Sequence, residues 1–306
     1  MNALVGTPSG SGKLLRDEPM ARHTSWRVGG PADLYFQPAE LAELEGFLAE
    51  LDPRMPITFV GLGSNLLVRD GGIRGAVVNV AAMAKAVEPL DERRLRVDAG
   101  VPCTVIARTC VRLGLGPAAF FAGIPGSLGG ALAMNAGAFG GETWERVEQV
   151  TTIDRRGELH RREPTDFAVA YREVGRRDDE WFIDATLLFE LQPDTTMADI
   201  RALVEKRKAT QPIGQLSCGS VFRNPAGDFA ARLIEASGLK GLRHGAAEVS
   251  EKHANFIINT GGATAADIEA LITEVRTRVQ EQHGVELELE VRILGDTLGD
   301  EKIGTQ

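Results

Sequence analysis

The sequence predicts a mixed protein of α+β or α/β class. Apolar residues recur at helical spacing in several separate windows, short β-branched runs lie between those windows, and glycine-rich turns close the runs. At 306 residues the chain is long enough for one large domain or two to three small ones. Hydrophobic residues make up 43% and charged residues 25%, ordinary proportions for a globular protein. The 35 glycines are an excess, and they cluster in motifs without a three-residue period, which excludes collagen. A net charge of −9 makes a phosphate-backbone binder a poor match. No run of about 18 apolar residues predicts a membrane span, and the first residues lack the apolar stretch of a secretory signal. Cys103, Cys110 and Cys218 cannot all pair and none forms a CxxC, which fits a reduced, cytoplasmic setting.

Residues 1–20, rich in Gly, Pro and Ser, read as a loose lead-in. Their Gly10-Ser11-Gly12-Lys13 is no Walker loop, because Thr7 and Leu14 stand where that pattern needs Gly and Ser or Thr. Leu41, Leu44, Phe47, Leu48 and Leu51 predict a helix over 38–51, and Ile57–Val60 a short buried strand. Further strands are expected over 76–80 and 94–97. Val101, Val105, Ile106, Cys110 and Leu113 share one face of a predicted helix, with Cys110 in the core. Seven glycines between Gly123 and Glu142 make that stretch too irregular for a helix, so backbone packed closely on a ligand is expected there. Strands then dominate 147–189. Thr196 with Asp199 forms a capping box ahead of Ile200, Leu203 and Val204. Phe229, Leu233 and Ile234 mark a helix stopped by Gly238, and Ile268, Leu271, Ile272, Val275 and Val279 mark another closed by Gly284. Val285 to Leu294 alternates strictly, as a half-buried strand does.

Gly61-Leu62-Gly63-Ser64-Asn65 follows a strand and reads equally as a phosphate-binding turn or a plain tight turn. It is not the dinucleotide fingerprint, since Leu66 occupies the third glycine position. The Gly123–Glu142 stretch is a second candidate anion cradle, with Asn135 able to donate or accept hydrogen bonds. Two such segments favour a long diphosphate-bearing ligand. Ser217-Cys218-Gly219-Ser220-Val221-Phe222-Arg223-Asn224-Pro225 follows the basic cluster Lys206-Arg207-Lys208, which could stabilise a hydroxyl acting as an acid, although spacing alone fits a turn serine. Glu286, Glu288, Glu290 and Arg292 share a face that periodicity alone makes solvated. No metal-ligand spacing occurs, so no metal is expected.

Specific wording goes further. His23-Thr24-Ser25-Trp26-Arg27-Val28-Gly29-Gly30-Pro31-Ala32-Asp33, then Gly61–Val68, Gly123–Glu142, Tyr171-Arg172, Cys218–Pro225, His253–Asn259 and Glu290-Val291-Arg292 occur in one order. Across residues 20–295 the chain resembles the UDP-N-acetylenolpyruvoylglucosamine reductase (MurB) family of bacterial cell-wall synthesis. The resemblance implies an α+β fold with a two-part FAD-binding region of the vanillyl-alcohol-oxidase/PCMH type and a C-terminal substrate-binding domain. The divisions expected are 1–84, 85–196 and 197–306, with the last strand returning to the active site. It implies bound FAD, NADPH as hydride donor and UDP-N-acetylglucosamine enolpyruvate as substrate, in a monomeric cytoplasmic enzyme.

By the same resemblance, Arg172 and Glu290 stabilise charge at C2 and Ser220 delivers the proton. Arg27, Gly61, Gly63, Ser64, Asn65, Leu66, Gly123, Pro125, Gly126, Ser127, Gly129, Gly130, Asn135, Gly137 and Ala138 fall on cofactor-binding positions. Tyr171, Lys208, Asn224, His253 and Asn255 fall on substrate-binding ones. The chain departs from the family wording after Arg172. Only 36 steps lead from Arg172 to Lys208 and the only tyrosines are Tyr35 and Tyr171, so it resembles the branch without a tyrosine loop. An FAD-dependent sugar or alcohol oxidase of the same fold is the alternative. It would need a base where the reductase needs an acid.

Overall fold

The computed structural model describes residues 11–83, 86–175 and 177–299. The chain divides into two compact units: Met1–Leu15, Leu34–Leu62 and Gly75–Arg207 form the first, and Arg16–Asp33, Gly63–Arg74 and Lys208–Gln306 the second. The expected division at 84/85 lies outside the described residues, as do residues 1–10 of the expected lead-in. The rest of that lead-in is ordered. Lys13–Pro19 is a strand at the edge of a four-stranded sheet, followed by Pro31–Gln37, Ile73–Asn79 and Ile57–Val60, and Met20 is fully buried.

In the first unit, α1 (Leu41–Glu50) buries Leu44, Phe47 and Leu48, with Phe47 stacked on Phe36 at 4.2 Å between centroids. Ile57–Val60 runs parallel to the Ile73–Asn79 strand from Ala76 onward. A five-stranded antiparallel sheet runs Leu159–Arg162, Val147–Asp154, Glu180–Leu188, Arg94–Asp98, Val87–Pro89. In the same core, α2 (Cys103–Arg112) buries Cys103, Ile106, Ala107 and Cys110. That is one helical stripe in register with Cys103. Val105 and Leu113, expected on the same face, fall outside the stripe and are exposed.

The glycine-rich stretch corrects a second expectation, for it contains a helix, α3 (Leu128–Met134). Leu128, Ala131 and Leu132 are buried and supply the apolar stripe that outweighs two poor helix formers, Gly129 and Gly130. Gly129 also lies against Ala99, where an added Cβ would stand 3.0 Å from the alanine Cβ. Asn135 closes the helix in the left-handed conformation, φ +45°. α4 (Met197–Thr210) opens on the expected capping box, the Thr196 N–H donating to Asp199 Oδ2 at 2.7 Å.

The second unit is built on α5 (Ala230–Ala236) and α6 (Ala265–His283) with a three-stranded sheet, Arg243–His244, Ala247–Val249 and Ile257–Asn259. The apolar positions expected on α6 are all buried, Thr264 caps it, and Gly284 ends it at φ +69°. Trp26 is fully buried and its indole N–H donates to the Ile257 carbonyl at 2.8 Å. Phe229, expected to mark the helix with Leu233 and Ile234, is instead the exposed cap residue ahead of α5. The alternation over 285–294 holds as burial of Leu287 and Val291, but only Arg292–Leu294 forms a ladder, parallel to Leu66–Val68. Among the described residues no helix is long and apolar enough to cross a membrane.

Candidate functional site

The predicted residues gather into two clusters, one in each unit. In the first unit the two glycine segments meet. A Cβ on Gly61 would stand 2.6 Å from Ser127 Oγ, so only glycine lets the strand end approach that serine. The segment leading into α3 is zipped onto residues 99–103. The Cys103 N–H donates to the Gly126 carbonyl, the Leu128 N–H to Val101 and the Gly129 N–H to Ala99, at 2.7–3.0 Å. The amides of Leu128 and Gly129 are therefore engaged within the protein, which narrows the anion cradle read from the sequence. Beyond the helix, chain packs on chain. A Cβ on Gly123 would meet Ala138 Cβ at 2.5 Å, and one on Gly137 the Gly141 carbonyl at 2.4 Å. Gly130, exposed on α3, has nothing within 4 Å of its Cβ position, and Pro125 is exposed as well.

Arg172 sits above this segment in a two-residue turn joining Ala168–Ala170 to Glu173–Gly175. Its φ of +56° is a left-handed value that an arginine rarely adopts. Nη1 donates to the Asn135 carbonyl at 3.2 Å and Nη2 to the Gly137 carbonyl at 2.9 Å, and the guanidinium lies over the Tyr171 ring. The Asn135 side chain, read from the sequence as free to bind ligand, is buried and engaged. Its Nδ2 donates to Glu142 Oε2 (2.8 Å) and to the Ala170 carbonyl (3.1 Å), while Oδ1 accepts the Trp144 N–H. Among the described residues, six non-glycine residues have positive φ, and four of them (Arg27, Asn135, Phe139 and Arg172) fall in the motif segments.

The second unit holds Ser220 by main chain. Gly219 precedes it at φ +75°, and Val221 and Phe222 follow it into the core. The Val221 N–H donates to the Asn255 carbonyl at 2.9 Å, and the Val221 carbonyl accepts the Glu290 N–H at 2.8 Å. Asn255, fully committed within the protein, accepts the Phe222 N–H and donates to the Phe222 carbonyl. Asn65 joins the same network, its Nδ2 donating to the Glu290 carbonyl (2.9 Å) and its own carbonyl accepting the Arg292 N–H (3.0 Å). Two distant sequence motifs and the serine are thus tied to one another. Leu66 begins the strand paired with Arg292.

Gly63 is pressed onto the His23 carbonyl, 1.9 Å from where its Cβ would be, and its own carbonyl accepts the Ser25 N–H. Cys218 is buried and donates to the Leu66 carbonyl at 3.3 Å. Burial pushes its thiol up to about 12, so it stays neutral and forms no thiolate nucleophile near pH 7.

The remaining residues lie at the rim of these clusters or outside them. Arg27 is exposed and donates to the Arg22 carbonyl, and Ser64 is half-buried. Asn224 is exposed and its Oδ1 accepts the Ala230 N–H at the start of α5. Lys208 is exposed, and its carbonyl accepts from Lys252 Nζ. His253 packs edge-on to Phe256, with Nδ1 buried and without a hydrogen-bond partner, and burial holds the ring below the usual 6.5. Sequence reasoning missed Glu142, the carboxylate at the end of the glycine stretch. Its signal was the Glu142/Glu145 spacing, which is a capping box on Thr143–Arg146.

With this geometry in place, similarity to known proteins decides the family. An enzyme named UDP-N-acetylenolpyruvoylglucosamine reductase from Alkalilimnicola ehrlichii is 58% identical over 288 residues, covering 93% of this chain and 96% of its own. This chain belongs to the UDP-N-acetylenolpyruvoylglucosamine reductase family. A relative of the same name from Methylococcus capsulatus is 56% identical, covering 96% of this chain and 97% of its own. The profile described as the UDP-N-acetylenolpyruvoylglucosamine reductase C-terminal domain matches residues 211–294, and an FAD binding domain profile matches 32–162. The crystal structure of the reductase from Thermus caldophilus superposes with a TM-score of 0.78 at 31% identity, covering 93% of this chain and 99% of that one. The α+β class and the FAD-binding region expected of this family are both present.

Proposed function

We infer that this chain reduces UDP-N-acetylglucosamine enolpyruvate to UDP-N-acetylmuramate with NADPH, through FAD, in peptidoglycan precursor synthesis. The observation that carries this reading is the kinship over nearly the whole chain, at 58% identity to a reductase of that name. The residues present fit the cofactor. Gly130 on α3 is exposed with nothing within 4 Å of its Cβ position, which leaves open main chain for a bulky diphosphate ligand to approach, while Gly61, Gly123 and Gly137 let the surrounding segments pack closely on one another. The one carboxylate of the second segment, Glu142, is paired with Asn135 and Arg172 and does not confront an anion alone. The segments 61–66 and 123–138, with Arg27, are the proposed FAD contacts. When bound, FAD supplies a hydride received from NADPH.

Addition of hydride to C3 of the enolpyruvyl group leaves negative charge at C2 and on the carboxylate. Arg172 stabilises that charge with N–H donors already oriented by the Asn135 and Gly137 carbonyls. Glu290 faces the same demand, and a carboxyl group helps there while it holds a proton to donate. Ser220 gives its hydroxyl proton to C2 and completes the saturation. Lys208 and Asn224 contact the diphosphate or nucleotide end, and Tyr171 and His253 line the substrate. Asn255 acts by fixing the main chain that presents Ser220. The proposed functional division remains 1–84, 85–196 and 197–306. The enzyme is proposed to act as a cytoplasmic monomer on small molecules, without nucleic acid or membrane.

The test is direct. The purified protein should be yellow, and incubation with NADPH and the enolpyruvyl sugar nucleotide should yield a product heavier by two hydrogens. Colourless protein, or a flavoprotein that oxidises a free sugar and leaves the enolpyruvyl compound unchanged, would refute the reading.

A further inference from the structure

Arg172 stands at the tip of a short hairpin whose residues are exposed except for Val174 and half-buried Arg172 itself. An arginine on such a tip ordinarily samples many rotamers, and ordering it costs side-chain entropy. Yet its side chain keeps only 15% of its exposure. Two main-chain carbonyls, of Asn135 and Gly137, take its Nη1 and Nη2, and Glu142 Oε1 stands 3.6 Å from Nη1. The other oxygen of Glu142 accepts from Asn135, and the same Asn135 nitrogen reaches the Ala170 carbonyl on the hairpin. Glu142 is itself anchored as the cap of Thr143–Arg146. One carboxylate therefore faces the guanidinium as an ion pair with one oxygen and, through Asn135, is tied to the hairpin backbone with the other.

We propose that Glu142 is a positioning residue that sets the Arg172 guanidinium for the substrate carboxylate. The inference rests on the Arg172 role given above and goes beyond it by naming what fixes that arginine. Glu142 touches neither substrate nor cofactor in this account. A neutral amide in its place keeps the size and one acceptor for Asn135 but removes the negative charge that pairs with the cation.

The experiment uses FAD-loaded Glu142→Gln, Glu142→Asp, Arg172→Ala and the Arg172→Ala/Glu142→Gln double variant. Calorimetric titration with UDP-N-acetylmuramate reports the carboxylate contact, and titration with UDP, which lacks that carboxylate, is the control. Glu142→Gln should weaken UDP-N-acetylmuramate about tenfold, the scale of one contact to a charged group, and leave UDP unchanged. Reduction of the flavin by NADPH should be unaltered, and its reoxidation by the enolpyruvyl substrate should slow about tenfold. Glu142→Asp should recover part of both losses. In the Arg172→Ala background Glu142→Gln should add nothing beyond about twofold. Unchanged product affinity in Glu142→Gln, equal weakening of UDP, or full additivity in the double variant would overturn the proposal. Normal product binding and reoxidation in Arg172→Ala alone would instead overturn the Arg172 reading itself, and the positioning role with it.

Discussion

The two clusters hold their reactive groups by different means. In the first unit Arg172 is fixed by side-chain contacts of its own: two carbonyls, the Glu142 carboxylate and the Tyr171 ring. In the second unit Ser220 is fixed through its neighbours. Val221 is bonded to Asn255 on one side and Glu290 on the other, and Asn65 fastens Glu290 in turn. A cation on a long side chain must be held at its head, whereas a serine hydroxyl follows wherever its short backbone segment is placed. Loss of Ser220 should thus remove chemistry without disturbing geometry, while losses around Arg172 should change geometry and chemistry together.

The largest effect sharpens that contrast. Ser220→Ala should slow reoxidation of the reduced flavin by the enolpyruvyl substrate by ~10²–10⁴-fold, the range for a lost general acid. Its FAD content, melting temperature and NADPH half-reaction should match the wild type. Arg172→Ala comes next. It should cost the second half-reaction ~3–4 kcal/mol, as removal of one oxyanion-type donor does, with the substrate KM rising as well. Asn255→Ala would break the second cluster at its hub. It strands the buried Phe222 N–H and carbonyl, and denaturant unfolding should show a loss of about 1–3 kcal/mol. Equal stability in that variant would mean that Ser220 is held by something other than the Asn255 hub.

The smallest effect concerns pH. Burial holds the His253 imidazole below 6.5, so as pH falls through 6.5 the unfolded chain takes up a proton that the folded chain refuses. Stability is present above that pH and is lost on acidification. Melting curves of His253→Gln should therefore fall less steeply than those of the wild type below pH 6.5.

Much of this was legible in the sequence where a local rule and the tertiary environment agree. The stripe of α6, the cap at Thr264, the stop at Gly284 and the Thr196/Asp199 box stand where periodicity and capping place them. The misplacements have a common cause, which is packing at a distance. Gly129 and Gly130 argue against a helix until Ala99 and the buried face of α3 enter. Phe229 reads as part of the helical stripe until the chain places it one residue ahead of α5, exposed. Val105 loses its expected place because the stripe is set by Cys103. The reactive residues were readable only as words resembling a family, since no spacing links Asn65, Ser220 and Glu290. Their union depends on hydrogen bonds between segments distant in sequence, such as Asn65 to Glu290, 225 positions apart. Glu142 escaped notice for a related reason, because its partner Arg172 lies beyond an intervening hairpin.

One anaerobic stopped-flow record tests the central claim. The flavin is first bleached with one equivalent of NADPH, then mixed with UDP-N-acetylglucosamine enolpyruvate or with UDP-N-acetylglucosamine, which lacks the enolpyruvyl acid. Rapid return of the yellow absorbance with the first compound and none with the second is the predicted result. Persistent bleaching with both, or equal recovery with both, would contradict the account.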